Sequence, residues 1–159
     1  MSSKSLVLIR HAHRNTDDRS ADNGLSEKGE SQVKKLVKFC RERFKDRDVV
    51  FLTSPKKRCI QTLTPVAEDW KKEIRVDERL DELRPNESTT QYLARIDEFL
   101  DFFKYECEDT IVICSHGDVI PILIQKLTLA KTGLKKCGYA EIEYFSGESY
   151  LTWLVQKFD

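Results

Sequence analysis

The sequence predicts a single-domain α/β protein: a three-layer α/β/α sandwich with a mostly parallel central sheet and a C-terminal β-hairpin. Three observations support this. Short aliphatic runs, typical of strands buried on both faces, occur at residues 6–9, 49–52 and 110–114. Segments with apolar residues at helical spacing lie between and after these runs. Two strand-like runs around Ser146-Gly147-Glu148 end the chain. Alternating strands and helices place helices on both faces of a parallel sheet, and we expect one domain over residues 1–159.

The composition excludes several classes of protein. Lys and Arg together number 27, as do Asp and Glu, so no net positive charge attracts nucleic acid. No aliphatic stretch approaches the ~20 residues that a membrane span needs, and no signal-peptide pattern precedes the first strand. The cysteines form no Cys-x-x-Cys pair, which argues against a disulfide framework and a zinc site. We therefore expect a reduced, cytoplasmic protein. The five cysteines are Cys40, Cys59, Cys107, Cys114 and Cys137.

The first half of the chain divides into two strand–helix pairs. The first strand ends at Arg10-His11, and after a polar loop Ser26 is the expected N-cap of a helix whose apolar residues run from Val33 to Phe44. The second strand, Val49 to Leu52, ends in Thr53-Ser54-Pro55. Here Ser54 is the expected N-cap and Pro55 the first helical residue. Pro65 is expected to kink or split this helix near Thr64.

The second half of the chain follows the same alternation. Residues 74–77 predict a short half-buried strand, and Ser88 is placed to cap a helix that reaches about Tyr105. The strand at 110–114 ends in Ser115-His116-Gly117-Asp118. An apolar helix over about 118–129 follows, with Pro121 in its first turn. Residues 139–145 and 150–155 predict the hairpin.

Polar and cationic residues follow the buried strands directly. Because the carboxyl ends of parallel strands lie at one edge of a sheet, His11, His116 and the helix start at Ser54 are expected to converge there with Arg10 and Arg58. Guanidinium groups match phosphate oxygens in geometry, and helix N–H groups add partial positive charge. The convergence therefore predicts a site for a phosphoryl group.

Four ordered motifs carry a resemblance to a known family. They are Arg10-His11-Ala12, residues 25–32 (Leu-Ser-Glu-Lys-Gly followed by Gln32), residues 53–62 (Thr-Ser-Pro-Lys-Lys-Arg-Cys-Ile-Gln-Thr) and Ser115-His116-Gly117. Together they resemble the signature of the histidine phosphatase superfamily, in its phosphoglycerate-mutase-like branch. The resemblance extends from residue 5 to about residue 130.

The resemblance implies that His11 is the nucleophile that becomes phosphorylated, and that Arg10, Arg58 and His116 bind the transferred phosphoryl group. Ser54, at the helix start, is a further candidate for phosphate binding. No metal and no cofactor is expected, because the arginines neutralise the phosphate, and inorganic phosphate is the expected product.

Two positions depart from the family pattern. Ala12 stands where the family has glycine, which is tolerable unless the backbone needs a positive φ. His13, followed by Arg14, stands where many relatives carry an acidic residue. His13 is either a cation at the rim of the site that favours anionic substrates, or a solvated loop residue.

The general acid is the least determined role. Glu82 lies in a Leu-x-Glu pattern where the family often has its proton donor, with Asp81 and Glu78 as competitors. Solvent could also supply the proton, and Glu82 could be a capping or surface carboxylate.

Between Glu82 and Ser88 there is no room for the helical insertion that closes the site in sugar-phosphate mutases. An uncovered site suits a phosphoryl group carried by a large partner, and the stretch after Leu80 is similar to SixA-type phosphohistidine phosphatases. The first expectation is therefore a phosphohistidine-protein phosphatase, and the alternative is a phosphomonoesterase acting on small phosphorylated metabolites. A mutase needs a closed site. A catalytically silent phosphate-binding module is disfavoured by the intact Arg10, His11, Arg58 and His116.

Overall fold

The computed structural model describes residues 3–105 and 108–159, so Cys107 lies outside the described residues. Within these ranges, six strands and four α-helices follow one another. They are β1 (Lys4–Arg10), α1 (Glu27–Arg43), β2 (Val49–Thr53), α2 (Lys57–Asp69), β3 (Ile74–Val76), α3 (Thr89–Tyr105), β4 (Thr110–Ser115), α4 (Val119–Thr128), β5 (Tyr139–Phe145) and β6 (Glu148–Val155). A short 3₁₀ helix, Glu78–Leu80, follows β3.

The strands form one mixed sheet in the order β3-β2-β4-β1-β5-β6. The first four of these are parallel, with β4 between β1 and β2. Strand β5 pairs antiparallel with β1 on one side and with β6 on the other. The register pairs Arg10 with Ser115 and Thr53 with Cys114, so three parallel strands end side by side. The mostly parallel sheet and the C-terminal hairpin are confirmed.

Each face of the sheet carries its own apolar layer. On one face, α3 and α4 cover the side chains of Leu6, Leu8, Ile111 and Ile113, which are fully buried. On the other face, α1 and α2 cover the strand residues that lie between these, such as Val7. Because side chains alternate across a strand, an unbroken aliphatic run supplies both layers. The three-layer sandwich is therefore confirmed.

The predicted helix starts are right at two positions and wrong at one. The Ser26 hydroxyl accepts from the Gly29 N–H, and the Ser88 hydroxyl accepts from the Gln91 N–H. The N-cap prediction for Ser54 is wrong, since α2 begins three residues later at Lys57 and Pro55 is not its first residue. Instead, the Ser54 N–H bonds to the Cys114 carbonyl at 3.0 Å and extends the β2–β4 ladder.

Pro65 lies inside α2, and the helix runs without a split from Lys57 to Asp69. The predicted split near Thr64 is therefore wrong, while the kink that was its alternative stays a prediction. The side chains of Leu63, Val66 and Ala67, which flank the proline, are all buried in the apolar layer. Their packing holds the turn in place although proline has no N–H to donate.

The four cysteines within the described ranges, Cys40, Cys59, Cys114 and Cys137, are free and buried. Free cysteine in such a setting packs as a small apolar side chain. Among the described residues, no helix is both long and apolar enough to cross a membrane.

One buried carboxylate ties α1 to the antiparallel part of the sheet. Glu141 on β5 accepts from Arg43 at 2.9 Å, from Arg47 at 2.7 Å and from the Tyr139 hydroxyl at 2.8 Å. Burial by itself raises the pKa of Glu141, but Arg47, Tyr139 and Arg43 outweigh it and hold this pKa below its ordinary value. The ionised form of Glu141 is therefore favoured by folding.

We expect Glu141→Gln to lower the free energy of unfolding by about 1–2 kcal/mol near pH 7, because it removes charge-assisted bonds to two arginines that keep some access to water. A depressed pKa stabilises the fold above the unfolded value of about 4.3, and this gain is lost as the pH falls through the folded pKa. Denaturant titrations at pH 7 and pH 3.5 should therefore show the difference between the two proteins shrinking at low pH.

Glu143→Gln is the matched control, since Glu143 lies on the same strand and face and has no ion pair with any described residue. It should change the stability little at either pH. A difference between wild type and Glu141→Gln that persists unchanged at pH 3.5 would show that the carboxylate charge is not the cause.

Candidate active site

The carboxyl ends of β1, β2 and β4 bring the predicted residues to one edge of the sheet. The backbone N–H of His11 donates to the Ser115 carbonyl at 3.1 Å, so His11 continues the β1–β4 ladder by one residue. The rings of His11 and His116 lie with their centroids 5.4 Å apart. Both side chains are almost fully buried. The two histidines expected to converge are thus adjacent.

His11 is held in a defined tautomer. Its Nδ1 lies 2.8 Å from the Ala12 carbonyl oxygen, which can only accept, so Nδ1 carries the proton. Nε2 is left with its lone pair, and the Nε–H of Arg58 donates to it at 3.3 Å. Burial, together with the nearby His116, Arg58 and Arg10, lowers the pKa of His11 from 6.5 to about 3, although the bond to Ala12 opposes this. His11 is therefore neutral near pH 7, with Nε2 available as a nucleophile.

Arg58 is the centre of the polar network. From the first turn of α2, it donates through Nε to His11 and through Nη2 to Glu82 at 2.7 Å and to His116 Nδ1 at 3.3 Å. Its side chain is only 4% exposed. A second carboxylate, that of Asp22, lies 3.9 Å from Nη1. The guanidinium is thus desolvated and aimed at both histidines.

The second histidine, His116, is oriented by contacts at both ring nitrogens. Because Nδ1 accepts from Arg58, Nε2 carries the proton and donates to the Ser54 hydroxyl at 2.7 Å. Ser54 therefore orients His116 and does not cap α2, and its binding of phosphate stays a prediction. The thiol of Cys59 packs against the same ring, 3.6 Å from Nε2.

Arg10, at the end of β1, borders the site on its other side. Its Nη1 donates to the Leu134 carbonyl at 2.9 Å, while its buried Nε has no hydrogen-bond partner among the described residues. Burial lowers the pKa of Arg10, and the carboxylate of Asp118 opposes this. A Cβ added at Gly117 would lie 2.7 Å from the Arg10 guanidinium carbon, so a larger residue there would displace the arginine.

The three candidate acids occupy different positions. Glu82 reaches the site, with Oε2 2.7 Å from Arg58 Nη2 and 3.7 Å from His116 Nδ1, and its side chain is 39% exposed. Asp81 is buried and accepts from the Glu82 N–H and from Arg84. The Glu78 carboxylate pairs with Arg84 on the exposed surface. Of the three, only Glu82 combines contact with Arg58 and access to solvent.

His13 lies on the Arg10 side of the site. Its Nδ1 is 2.7 Å from the Ser26 hydroxyl, and its backbone N–H donates to the Gln32 side chain at 2.9 Å. Burial and the nearby Lys136 and Lys28 lower its pKa. Within the described ranges His13 contacts none of the groups around Arg58, so a role in phosphate binding stays a prediction.

Ala12, which replaces the family's glycine, does not have a positive φ. Its methyl group is fully buried in the layer formed by α1 and α2. The substitution therefore fits the backbone that the motif requires.

Three supporting residues were given no role by the sequence analysis. Thr62 accepts from the Ala12 N–H at 2.9 Å, and Gln61 accepts from the Leu25 N–H at 2.7 Å. Side chains of α2 thus fix both ends of the loop between β1 and α1. Asp22 accepts from the Lys57 N–H at 3.0 Å and thereby caps α2 next to Arg58. Thr62 and Gln61 belong to a motif, whereas Asp22 lies in a loop without any recognisable pattern.

Comparison with solved structures identifies the fold. Mycobacterial glucosyl-3-phosphoglycerate phosphatase superposes with a TM-score of 0.76 at 18% identity, covering 98% of this chain and 100% of that chain. A phosphoserine phosphatase mutant from Entamoeba histolytica gives 0.74 at 20% identity, covering 96% of each chain. Phosphoglycerate mutase from Bacillus anthracis gives 0.81 at 18% identity, covering 95% and 92%. The fold is therefore phosphoglycerate-mutase-like.

No curated protein sequence matches the chain at a significant level. The family model of the histidine phosphatase superfamily (branch 1), in contrast, matches residues 6–85, which is about half of the chain. This stretch contains the first three of the four motifs as well as Glu82. The chain is a member of the histidine phosphatase superfamily, branch 1.

Proposed function

We propose that this protein is a phosphatase that transfers a phosphoryl group to Nε2 of His11. In the first step, a bond forms between Nε2 and phosphorus while the bond from phosphorus to the leaving group breaks, and the leaving group takes up a proton. In the second step, water attacks phosphorus, the Nε2–P bond breaks and inorganic phosphate leaves. The observation that carries the proposal is the fixed tautomer of His11, with Nδ1 bonded to Ala12 and Nε2 unprotonated.

The groups around His11 match the charge of the reacting phosphoryl group. As Nε2 bonds to phosphorus, its contact with Arg58 Nε is replaced, and the guanidinium then faces the phosphate oxygens. Arg10 with its unpaired Nε, and His116 held by Ser54, supply further donors. Donors that are already in place stabilise the charge of the transition state without reorganisation. We propose that these side chains suffice without a metal ion or a cofactor.

The access to the site favours a phosphohistidine on a protein as the substrate. Residues 81–88 connect the 3₁₀ helix directly to α3, and no helical insertion covers the site in this part of the chain. A phosphorylated side chain on a protein surface can reach only an uncovered site. The similarity of residues 80–85 to SixA-type phosphatases supports the same substrate.

A small-molecule phosphomonoesterase is the second candidate. Glu82 lies beside Arg58 and is 39% exposed, as a proton donor for an alkoxide leaving group would need to be. The similar structures named as glucosyl-3-phosphoglycerate phosphatase and phosphoserine phosphatase act, by their names, on small phosphorylated metabolites. The two candidates differ in the leaving group and can be separated by kinetics.

We expect His11→Ala to abolish hydrolysis of both p-nitrophenyl phosphate and a phosphohistidine-containing protein, because the variant lacks the Nε2 atom that takes up the phosphoryl group in the proposed mechanism. Rapid acid-free quenching of the wild type during turnover should trap an acid-labile, base-stable phosphoenzyme that the variant lacks. Thermal unfolding of both proteins checks that the variant is folded. Turnover by a folded His11→Ala variant at a comparable rate would exclude His11 as the nucleophile.

Arg58→Lys keeps the charge but loses the planar fork that reaches His11, His116 and Glu82 together. We expect kcat/KM to fall by the equivalent of about 2–4 kcal/mol, similar to the loss of one oxyanion donor. Arg75→Lys, which changes an exposed arginine on β3 away from the site, is the matched control and should leave kcat/KM unchanged. Equal activity of the two variants would assign Arg58 a structural role only.

Glu82→Gln tests the leaving-group chemistry. Glutamine can still accept from Arg58 Nη2 but cannot donate a carboxylic proton, so the position of Arg58 is kept. For a phosphohistidine phosphatase, alkyl phosphate hydrolysis should fall by about 10²–10³-fold, and phosphohistidine hydrolysis by less than about tenfold, since a protonated imidazole leaves readily. Glu78→Gln, with its carboxylate on the surface, is the control.

Two other outcomes of the Glu82→Gln experiment are informative. An equal loss of both activities would place Glu82 in a shared step, such as activation of water against phospho-His11. If the wild type hydrolyses alkyl phosphates faster than phosphohistidine, the phosphohistidine-protein proposal is wrong and the phosphomonoesterase takes its place.

A further inference from the structure

A pocket next to the candidate active site has Arg10, but not Arg58 or His116, among its lining residues. It has a volume of about 620 Å³ and is bordered by Arg10 and His13. Six cationic side chains line it: Arg10, Lys28, Lys35, Lys135, Lys136 and Lys157. None of the described residues that line the pocket carries a carboxylate. In a chain whose acidic and basic residues balance, this is a local concentration of positive charge.

The cations in this basic pocket crowd one another. Burial lowers the pKa of Lys136, and the charges of Arg10, Arg19, Arg14 and Lys28 lower it further. Lys72 and Lys126, which lie outside the pocket, pair with Asp48 and Asp97, whereas none of the pocket lysines forms an ion pair with a described residue. Like charges held together cost free energy that an anion bound among them would recover.

The pocket wall that carries Lys135 and Lys136 is hydrogen-bonded to the end of β1. The Cys137 N–H is shared between the carbonyls of Arg10 and His11, at 3.1 Å each, and the Gly138 carbonyl accepts from the Arg10 N–H. The Gln156 side chain bridges the Lys135 N–H at 2.7 Å and the Gly133 carbonyl at 2.8 Å. The loop therefore presents its two lysines in a set position next to Arg10.

The opposite wall is fixed as well. The Ser26 hydroxyl at the start of α1 contacts His13 and accepts from the Gly29 N–H, which places Lys28 at the pocket rim. Gln32, one turn later, accepts from the His13 N–H. Both walls are thus held by hydrogen bonds before any ligand enters, which reduces the entropy lost on binding.

We infer that the basic pocket binds a small molecule carrying two or more phosphate groups. Its volume lies in the usual range for small-ligand sites. Its lysines are point charges distributed around a concavity, so that several phosphates of one ligand can each meet a cation. An acidic protein segment would be matched better by cations spread over an open surface. Because Arg10 borders both the pocket and the candidate active site, a ligand bound in the pocket would influence the active site through this arginine.

Isothermal titration calorimetry with inorganic triphosphate tests this inference. The wild type should bind triphosphate, with an affinity that falls as salt is raised. Lys28→Gln/Lys136→Gln, which removes one cation from each wall, should weaken this binding at least tenfold. Lys45→Gln/Lys104→Gln removes the same charge from exposed positions outside the pocket and should bind as the wild type does. Equal affinities in all three proteins would overturn the inference.

Arg58→Gln separates the pocket from the candidate active site. Triphosphate binding should persist in this variant, and orthophosphate binding should be lost if the proposed function is right. Should Arg58→Gln not fold, as judged by thermal unfolding, Arg58→Lys serves instead. Triphosphate binding that depends on Arg58 and not on Lys28 and Lys136 would mean that triphosphate occupies only the candidate active site. The inference about the pocket would then be wrong, and the proposed function would be unaffected.

A hexaglutamate peptide is the competing ligand. If the peptide binds more tightly than triphosphate, and if that binding is weakened by Lys28→Gln/Lys136→Gln, the pocket recognises acidic protein segments and the small-molecule inference is wrong. We expect the peptide to bind more weakly than triphosphate at equal ionic strength.

Discussion

The buried guanidinium of Arg58 is the constraint on which the rest of the site depends. A cation that is only 4% exposed must be paired and hydrogen-bonded, because the loss of hydration would otherwise exclude it from the interior. Its pairing with Glu82 meets the first need, and its bonds to His11 and His116 meet the second. Both histidines are thereby held as acceptors toward Arg58. Each then donates from its other nitrogen, His11 to Ala12 and His116 to Ser54.

The parallel sheet makes this arrangement possible because β1, β2 and β4 end next to one another. His11 and Ser54 each extend a strand by one backbone bond to β4, so their side chains are placed by the sheet and not by mobile loops. The loops that remain are tied down by backbone bonds, as at Cys137, or by side chains of α2, as at Thr62. A rigid frame of this kind suits a reaction that depends on donors held in place.

The strands, and the proximity of His11 and His116, could be predicted from the sequence. Unbroken aliphatic runs indicate strands buried on both faces, and the ends of parallel strands lie at one edge of the sheet. The tautomer of His11 is set by the carbonyl of its neighbour Ala12 in the folded chain. The start of α2 could not be predicted correctly, because Ser54 has two uses for its polar groups that only the folded chain reveals: its N–H joins the sheet and its hydroxyl bonds to His116. Asp22 and the basic pocket depend on contacts between segments distant in sequence, for which no local pattern exists.

The central claim is that the phosphoryl group is carried by Nε2 of His11. It is tested most directly by nuclear magnetic resonance of the trapped phosphoenzyme, with ¹⁵N-labelled histidine and ³¹P detection. Because Nδ1 is bonded to the Ala12 carbonyl, we expect the coupling to phosphorus at Nε2 of His11 alone. A phosphorus coupling at Nδ1 of His11, or at either ring nitrogen of His116, would contradict the claim.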